Sequence, residues 1–449
     1  MSTTEQEAAE QEATPFWLSG NYAPVFDEIT AFDLPVTGEI PADLRGLYVR
    51  NGSNPRSGWS RHWFFGNGML HGVRIEDGKA VWYRNRYVRT PRYELDVDPN
   101  HVRNLGDRTM SAANTHVVAH AGRIFALEEA SFPFEVDDEL ETIGCETWDG
   151  RLTTPFTAHP KLCPLTGELH FFGYGPFPPY LTYHVLDSSG VLVKSEPITV
   201  PGPTMMHDFM ITSEHAIFMD LPVVIDLELA MRGESPLRWS DDYGARIGVM
   251  PRGGSDADVR WFEVEPCYVF HPSNAWTDGT KVVCDVGRHA WMWRTGMDDF
   301  APAVLHRWTF DLKSGAVREE RLDDRSHAFP RVADDKLGLH NRYAYMVQPR
   351  AGSDDAVTSP GMITKWDNAV DAATWHDLGP DAFPDEPVFV RTGDSAEDDG
   401  VVLSFVYDRS RDASDLVVLD ATDMASDPVA VVHMPRRIPH GFHGSWIGD

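Results

Sequence analysis

The chain repeats one pattern almost from end to end: a short apolar or aromatic run, a turn of Gly, Asp, Asn or Ser, then another such run. Val73–Arg84 (VRIEDGKAVWYR) reads as two strands around Asp77-Gly78, and Thr115–Leu127 (THVVAHAGRIFAL) repeats the shape around Gly122. Leu169–Gly175, Tyr183–Val200, His306–Leu322 and Val401–Leu419 follow suit, with turns at SSG, KSG and DRSRDASD. Alternating apolar residues between such turns specify antiparallel β-structure. A meander over nearly all of 449 residues, with no linker or low-complexity break, leaves few architectures. Two stacked sheets would expose long edges, whereas radial closure hides them. The pattern therefore predicts an all-β chain folded as one β-propeller domain over residues 15–449, without fixing the number of blades. Residues 1–14 hold too little apolar surface to offset ordering entropy and are expected to form a disordered acidic tail. Pro176–Tyr180 (PFPPY) and Val223–Met231 (VVIDLELAM) break the meander and are expected as loops or short helices over one face, the second as a helix.

Charge narrows the partners. Lys and Arg number 39 against 69 Asp and Glu, a formal net charge of −30. Such a surface repels phosphate backbones and anionic headgroups, so nucleic acid is not an expected partner. No run reaches the roughly 18 consecutive apolar residues of a membrane-spanning helix. The start, MSTTEQEAAEQEATP, lacks the basic and apolar regions of a secretory signal, so a cytoplasmic location is expected. Cys145, Cys163, Cys267 and Cys284 form no CxxC pair and read as reduced thiols. GxGxxG, P-loop, GxSxG and HExxH motifs are all absent, which removes the usual nucleotide, α/β-hydrolase and zincin readings.

What remains is histidine, of which there are 19. Most histidines are surface or satisfied core residues, but four have a distinctive context. His159 lies in Phe-Thr-Ala-His-Pro, His207 in Met-Met-His-Asp-Phe, His271 in Val-Phe-His-Pro and His443 in Gly-Phe-His-Gly. Apolar or small flanks at strand boundaries predict buried rings that need a defined partner. Their spread along the chain suits a site on a propeller axis, to which successive blades each contribute an innermost residue. Imidazole suits Zn, Cu, Fe or Ni, so the ligand type does not name the metal.

Longer stretches carry a resemblance. They are Gly20–Val25, Gly46–Pro55 (GLYVRNGSNP), His62–Gly72 (HWFFGNGMLHG), Asn85–Thr90 (NRYVRT), Thr157–Pro160, Met206–Phe209, Glu386–Val390 (EPVFV), Glu397–Asp408 (EDDGVVLSFVYD) and Ile438–Trp446 (IPHGFHGSW). In these the chain resembles the carotenoid cleavage oxygenase family, from Phe16 to Trp446. The resemblance implies a seven-bladed propeller with a loop and helical cap over an iron face. It implies Fe(2+) as cofactor, with His159, His207, His271 and His443 as its ligands. It also implies carboxylates hydrogen-bonded to the outer nitrogens of three ligands, a role that fixes ring orientation and raises basicity. Glu129 (in ALEEA) and Glu386 match two of them. The third is missing: the family's Glu before Phe-Pro is Ala328 here, in His327-Ala328-Phe329-Pro330. Water, a backbone carbonyl, Asp323 or Asp324 is the expected substitute beside His271.

Two further departures concern substrate and turn. Relatives that cleave phenolic stilbenes often carry Lys just before the first outer Glu, where this chain has Glu128, whose charge would repel a phenolate. The family's Gly-Asp-Gly is Gly66-Asn67-Gly68, for which a turn is expected. The resemblance implies an oxygenase that splits an alkene with dioxygen into two carbonyl products, and a carotenoid or apocarotenoid substrate. Smaller aryl alkenes, such as stilbenes and vinyl- or propenylphenols, are the second reading, and a non-catalytic propeller that binds a hydrophobic ligand is the third. Glu128, Met206, Phe270 and Phe442, with Met205, are the candidate substrate contacts. The expected partners are the hydrophobic alkene and dioxygen, with no obligate protein partner. A transient contact with a membrane surface would use Val223–Met231 as the apolar landing patch.

Overall fold

The structure is a computed structural model that describes residues 14–95, 106–350, 352–353, 355–356 and 358–449. The tail expected over residues 1–14 lies outside the described residues except for Thr14. Seven antiparallel sheets follow one another around a ring, so the chain is a seven-bladed β-propeller, and one two-stranded ribbon stands apart. The predicted hairpins are present. Gly68–Glu76 pairs with Lys79–Tyr87, and His116–His120 pairs with Arg123–Leu127. Each turns on two residues of positive φ, Asp77 (49°) with Gly78 (72°) and Ala121 (50°) with Gly122 (74°). That handedness matches the twist of the flanking strands.

The ring closes by contacts that no local pattern could announce. Gly444–Gly448 pairs with Gly46–Ser53, which makes the last strand of the chain the innermost strand of the first blade. Val36–Gly38 pairs with Ala430–His433 and so extends the outer edge of the seventh blade. Inner strands such as Gly46–Ser53 are buried along their whole length, whereas outer strands such as Leu192–Ile198 alternate exposed and half-buried residues between buried ends. The core lies between neighbouring blades. In its largest cluster Ile217, Val249 and Phe262 of the fourth blade meet Val269, Val282 and Trp308 of the fifth.

The segments that break the meander differ in part from expectation. Val223–Ile225 is a strand paired with Leu237–Trp239 in the separate ribbon, and only Leu227–Met231 is helical, N-capped by the Asp226 carboxylate. β-branched Val223 and Val224 pack inward, which leaves Leu227 and Met231 (74% exposed) as the only large apolar side chains that this segment presents to solvent. The exposed apolar surface of this segment is therefore smaller than the sequence suggested. Pro176–Tyr180 is a loop between two strands of the third blade. The turn expected at Gly66-Asn67-Gly68 is not formed: Gly66 is extended and Gly68 already opens the strand Gly68–Glu76, while the Asn67 side-chain oxygen accepts the Arg56 N–H at 3.1 Å. Among the described residues, helices are few and short. No helix among the described residues is long and apolar enough to cross a membrane.

Candidate metal centre

Four innermost strands bring the four singled-out histidines together. His159 precedes Lys161–Leu162 in the third blade and His207 precedes Met210–Ile211 in the fourth. His271 lies within Tyr268–Asp278 of the fifth, where the pairing register shifts between Val269 and Pro272, and His443 leads into Gly444–Gly448 of the first. Each ring offers one nitrogen to a group whose members all lie within 4.8 Å of one another. His159 Nε2 and His207 Nε2 are 2.9 Å apart.

Outer contacts set the direction of two rings. His207 Nδ1 donates to Glu129 Oε2 at 2.5 Å, and His443 Nδ1 donates to Glu386 Oε1 at 3.0 Å. A proton held on Nδ1 leaves Nε2 as a lone pair turned inward. Glu129 is fixed in turn by the Tyr174 hydroxyl, 2.8 Å from Oε1. Glu386 also accepts from Gly444 N at 2.8 Å and Arg331 at 3.2 Å through Oε2. Burial pushes the Glu386 carboxyl up, but the charges of His443 and Arg331 and the His443 hydrogen bond bring it down to about 2. Burial, reinforced by repulsion from His443 and the other rings, holds His159 and His271 well below the ordinary imidazole value. Neutral imidazoles are the form that ligates metal.

Ala328 lines the cavity beside the cluster, as its place before Phe329-Pro330 requires. Neither Asp323 nor Asp324 takes the missing Glu's place. Asp323 is engaged by Arg325 (2.8 Å) and Gln348 (3.3 Å), and Asp324 by Arg321 (2.8 Å). Phe329, at φ 53°, sets its ring 5.5 Å from both His271 and His443. The buried Nε2 of His271 has no hydrogen-bond partner among the described residues, a cost that a ligated metal would remove. Four imidazoles, at least two with Nε2 directed inward by an outer hydrogen bond, suit a divalent first-row metal.

Three contacts around the cluster escaped the sequence reading. Asp208, next to His207, lies 3.7 Å from His159 Nδ1 and 2.8 Å from the Lys161 ammonium, in a nearly dry pair. A fifth imidazole, His116, packs 5.2 Å from the His443 ring and holds the Ala158 carbonyl at 2.9 Å. Arg331 locks Glu386 from the sixth blade. The only available signal was adjacency: Lys161 and Asp208 flank ligand-like histidines in His-Pro-Lys and His-Asp-Phe.

The cluster opens on a cavity of about 290 Å³ with aromatic and thioether walls. Of the candidate contacts, Glu128, Met205, Phe270 and Phe442 line it. Met206 does not. It is 1% exposed and packs into the core between the third and fourth blades, because successive residues of an extended chain face opposite ways. Glu128 is turned onto its own loop, accepting from Ser131 Oγ and from Ala130 N at 3.0 Å, and burial pushes its carboxyl up from the ordinary value. It is therefore a weaker source of repulsion for an anion than its sequence position suggested.

Known proteins place this arrangement. The chain is 39% identical to a carotenoid cleavage oxygenase of Mycobacterium tuberculosis over 99% of both chains. A lignostilbene dioxygenase of Pseudomonas brassicacearum superposes with a TM-score of 0.89 at 29% identity, covering 97% of this chain and all of the other. Cobalt-substituted apocarotenoid oxygenase of Synechocystis superposes with a TM-score of 0.86 at 26% identity, covering 96% of this chain and 98% of the other. The sequence pattern of the family described as retinal pigment epithelial membrane protein matches residues 22–448, and with it the chain belongs to the carotenoid cleavage oxygenase family.

Proposed function

We propose that the protein is a non-haem Fe(II) oxygenase that cleaves a C=C double bond of a carotenoid or apocarotenoid with dioxygen, giving two carbonyl products. The observation that carries this reading is the convergence of four imidazoles within 4.8 Å of one another, three of which, His207, His271 and His443, line the wall of one aromatic-lined cavity. His159, His207, His271 and His443 would hold the metal, which when bound supplies a redox-active centre for dioxygen. Glu129 and Glu386 keep the Nε2 lone pairs of His207 and His443 directed inward. Phe270, at 4.5 Å from the His207 ring, and Phe442 give an apolar alkene a surface to pack on beside the cluster. Their work is to fix one double bond near the centre and to exclude water. The dioxygenase and oxygenase relatives support the reaction class.

The likeness to the lignostilbene dioxygenase favours the second reading, a smaller aryl alkene. Protein purified without oxygen, with its metal measured, should be given dioxygen and either an apocarotenal or a hydroxystilbene, and the products read by mass spectrometry. Stoichiometric iron with aldehydes from the apocarotenal supports the lead reading, and cleavage of the stilbene alone supports the second. His207→Ala and His443→Ala should each lose iron and turnover, and full turnover by either variant would overturn the four-histidine assignment.

A further inference from the structure

His207 and His443 each have a glutamate on Nδ1, whereas His159 has none. The carboxylate beside His159 Nδ1 is Asp208, with Oδ2 at 3.7 Å. That separation is longer than a hydrogen bond, yet short for a charge in a dry setting, where Coulomb forces are far stronger than in water. Asp208 is 2% exposed and firmly held. Its Oδ1 accepts from the Lys161 ammonium at 2.8 Å and from Phe209 N at 2.6 Å. Both contacts fall on Oδ1, so Oδ2 is the oxygen left for His159. The ring it meets starts from a fixed backbone: His159 N donates to Thr157 Oγ1 at 3.1 Å, and His116 holds the Ala158 carbonyl at 2.9 Å.

The tautomers show why a negative charge is needed at this place. His207 keeps its proton on Nδ1 against Glu129, so its Nε2 is an acceptor. His159 Nε2, 2.9 Å away, can bond to it directly only by carrying the His159 proton itself. In that form His159 Nε2 has no lone pair to give a metal. To ligate through Nε2, His159 must carry its proton on Nδ1, and Asp208 Oδ2 is the charge that favours it there. Lys161 supplies the matching positive charge, since a lone buried carboxylate is costly. The pair also crosses blades. Lys161 stands two residues after His159 in the third blade, and Asp208 one residue after His207 at the start of the fourth. The segments that carry these two ligands are thus joined by an ion pair as well as by their rings.

We infer that Asp208 is the outer carboxylate of His159 and holds this ring in the tautomer that gives Nε2 to a metal, and that Lys161 keeps Asp208 in place. Both are positioning residues. The inference deepens the four-histidine reading and rests on it. Native protein, Asp208→Asn, Lys161→Met and the double variant are loaded with Fe(II) without oxygen, and release to an excess of chelator is followed over time. Asp208→Asn should release iron about tenfold faster or more, the scale of a lost outer partner. Lys161→Met should also release it faster, and the double variant no faster than Asp208→Asn, since Lys161 acts through Asp208. The same proteins, with isotope-labelled histidine and loaded with Zn(II), report their ring N–H signals by NMR. In Asp208→Asn one such signal should move, while the two assigned to His207 and His443 through Glu129→Gln and Glu386→Gln stay in place.

Iron release from Asp208→Asn at the native rate would overturn the inference. So would faster release with no ring N–H signal moved, which would mark a purely structural role. Native release from Lys161→Met would overturn it as well, and this variant carries the test should Asp208→Asn fail to fold. Additive losses in the double variant would remove Lys161 from the assignment. Iron held by His207→Ala as tightly as by the native protein would remove the four-histidine reading itself. Iron lost from His207→Ala but held normally by Asp208→Asn would remove the inference alone.

Discussion

Glu386 Oε2 receives the Gly444 N–H at 2.8 Å and Arg331 at 3.2 Å, while its Oε1 holds His443 Nδ1 at 3.0 Å. One carboxylate thus ties the seventh blade, which carries it, to the first and the sixth at the place where the ring closes. Arg331 also donates to the Gly444 carbonyl at 2.5 Å, so both backbone polar groups of Gly444 are fixed beside the ring of His443. Glu129 has a smaller set of partners, His207 and Tyr174.

Glu386→Gln should therefore weaken metal retention more than Glu129→Gln does. Loss of such an outer partner costs about 10–100-fold in metal affinity or activity. Glu386→Gln should sit near the upper end, because the amide cannot accept from all three donors with a full charge. Metal release to a competing chelator, followed over time, measures it. Equal release from both variants and the native protein would show that these carboxylates do not support the centre.

Ala328→Glu should have the opposite effect. The methyl group of Ala328 lines the cavity at the position where the family carries a carboxylate, and Asp323 and Asp324 are committed to Arg325, Gln348 and Arg321. A carboxylate there is expected to slow metal release by about tenfold through His271. Unchanged release would mean that the His271 ring is already oriented by its packing against Phe329.

The architecture was legible because propeller blades are built from local hairpins, and local hairpins leave turn residues such as Asp77-Gly78 and Ala121-Gly122 in the sequence. The closure was not legible. Gly444–Gly448 finds Gly46–Ser53 across nearly the whole chain, and no periodicity encodes a pairing of that separation. The four histidines stood out by their flanks, but Arg331, Tyr174 and the Lys161–Asp208 pair did not, because an Arg or Lys beside a strand is usually a solvated residue. Adjacent residues were also hard to part. Met205 and Met206 have the same chemistry, and only the direction of the extended chain decides which one meets the cavity.

Acid should destabilise the fold well before its carboxylates protonate. His170, wedged between the Tyr183 hydroxyl (2.6 Å) and Arg252 (2.7 Å), and His184, between Thr154 (2.7 Å) and Ser195 (2.8 Å), are both in the third blade. Burial, joined at His170 by the Arg252 charge, lowers each from the ordinary 6.5 to about 3. Above pH 6.5 the rings are neutral in folded and unfolded chains alike. Between pH 6.5 and 3 the unfolded chain takes up protons that the folded chain refuses, so stability is full above that window and falls as pH drops through it. Urea midpoints measured from pH 7.5 to 4.5 should decline steadily, and His170→Gln with His184→Gln should flatten the decline. A midpoint independent of pH across this range would contradict the burial of both rings.

Met205 and Met206 separate cavity from core in one experiment. Met206 is packed among Phe172, Phe209 and Phe218, all buried, so Met206→Ala opens a void and should cost about 2–5 kcal/mol of stability. Its effect on substrate should be small, because no part of it lines the cavity. Met205 touches both regions: it accepts from the Tyr268 hydroxyl through Sδ at 3.1 Å, and it also forms cavity wall. Met205→Ala should raise KM for an apocarotenal several-fold as well as lower stability. Measuring unfolding midpoints and KM together on the two variants decides the matter, and a larger KM change in Met206→Ala than in Met205→Ala would place the substrate on the wrong side of this strand.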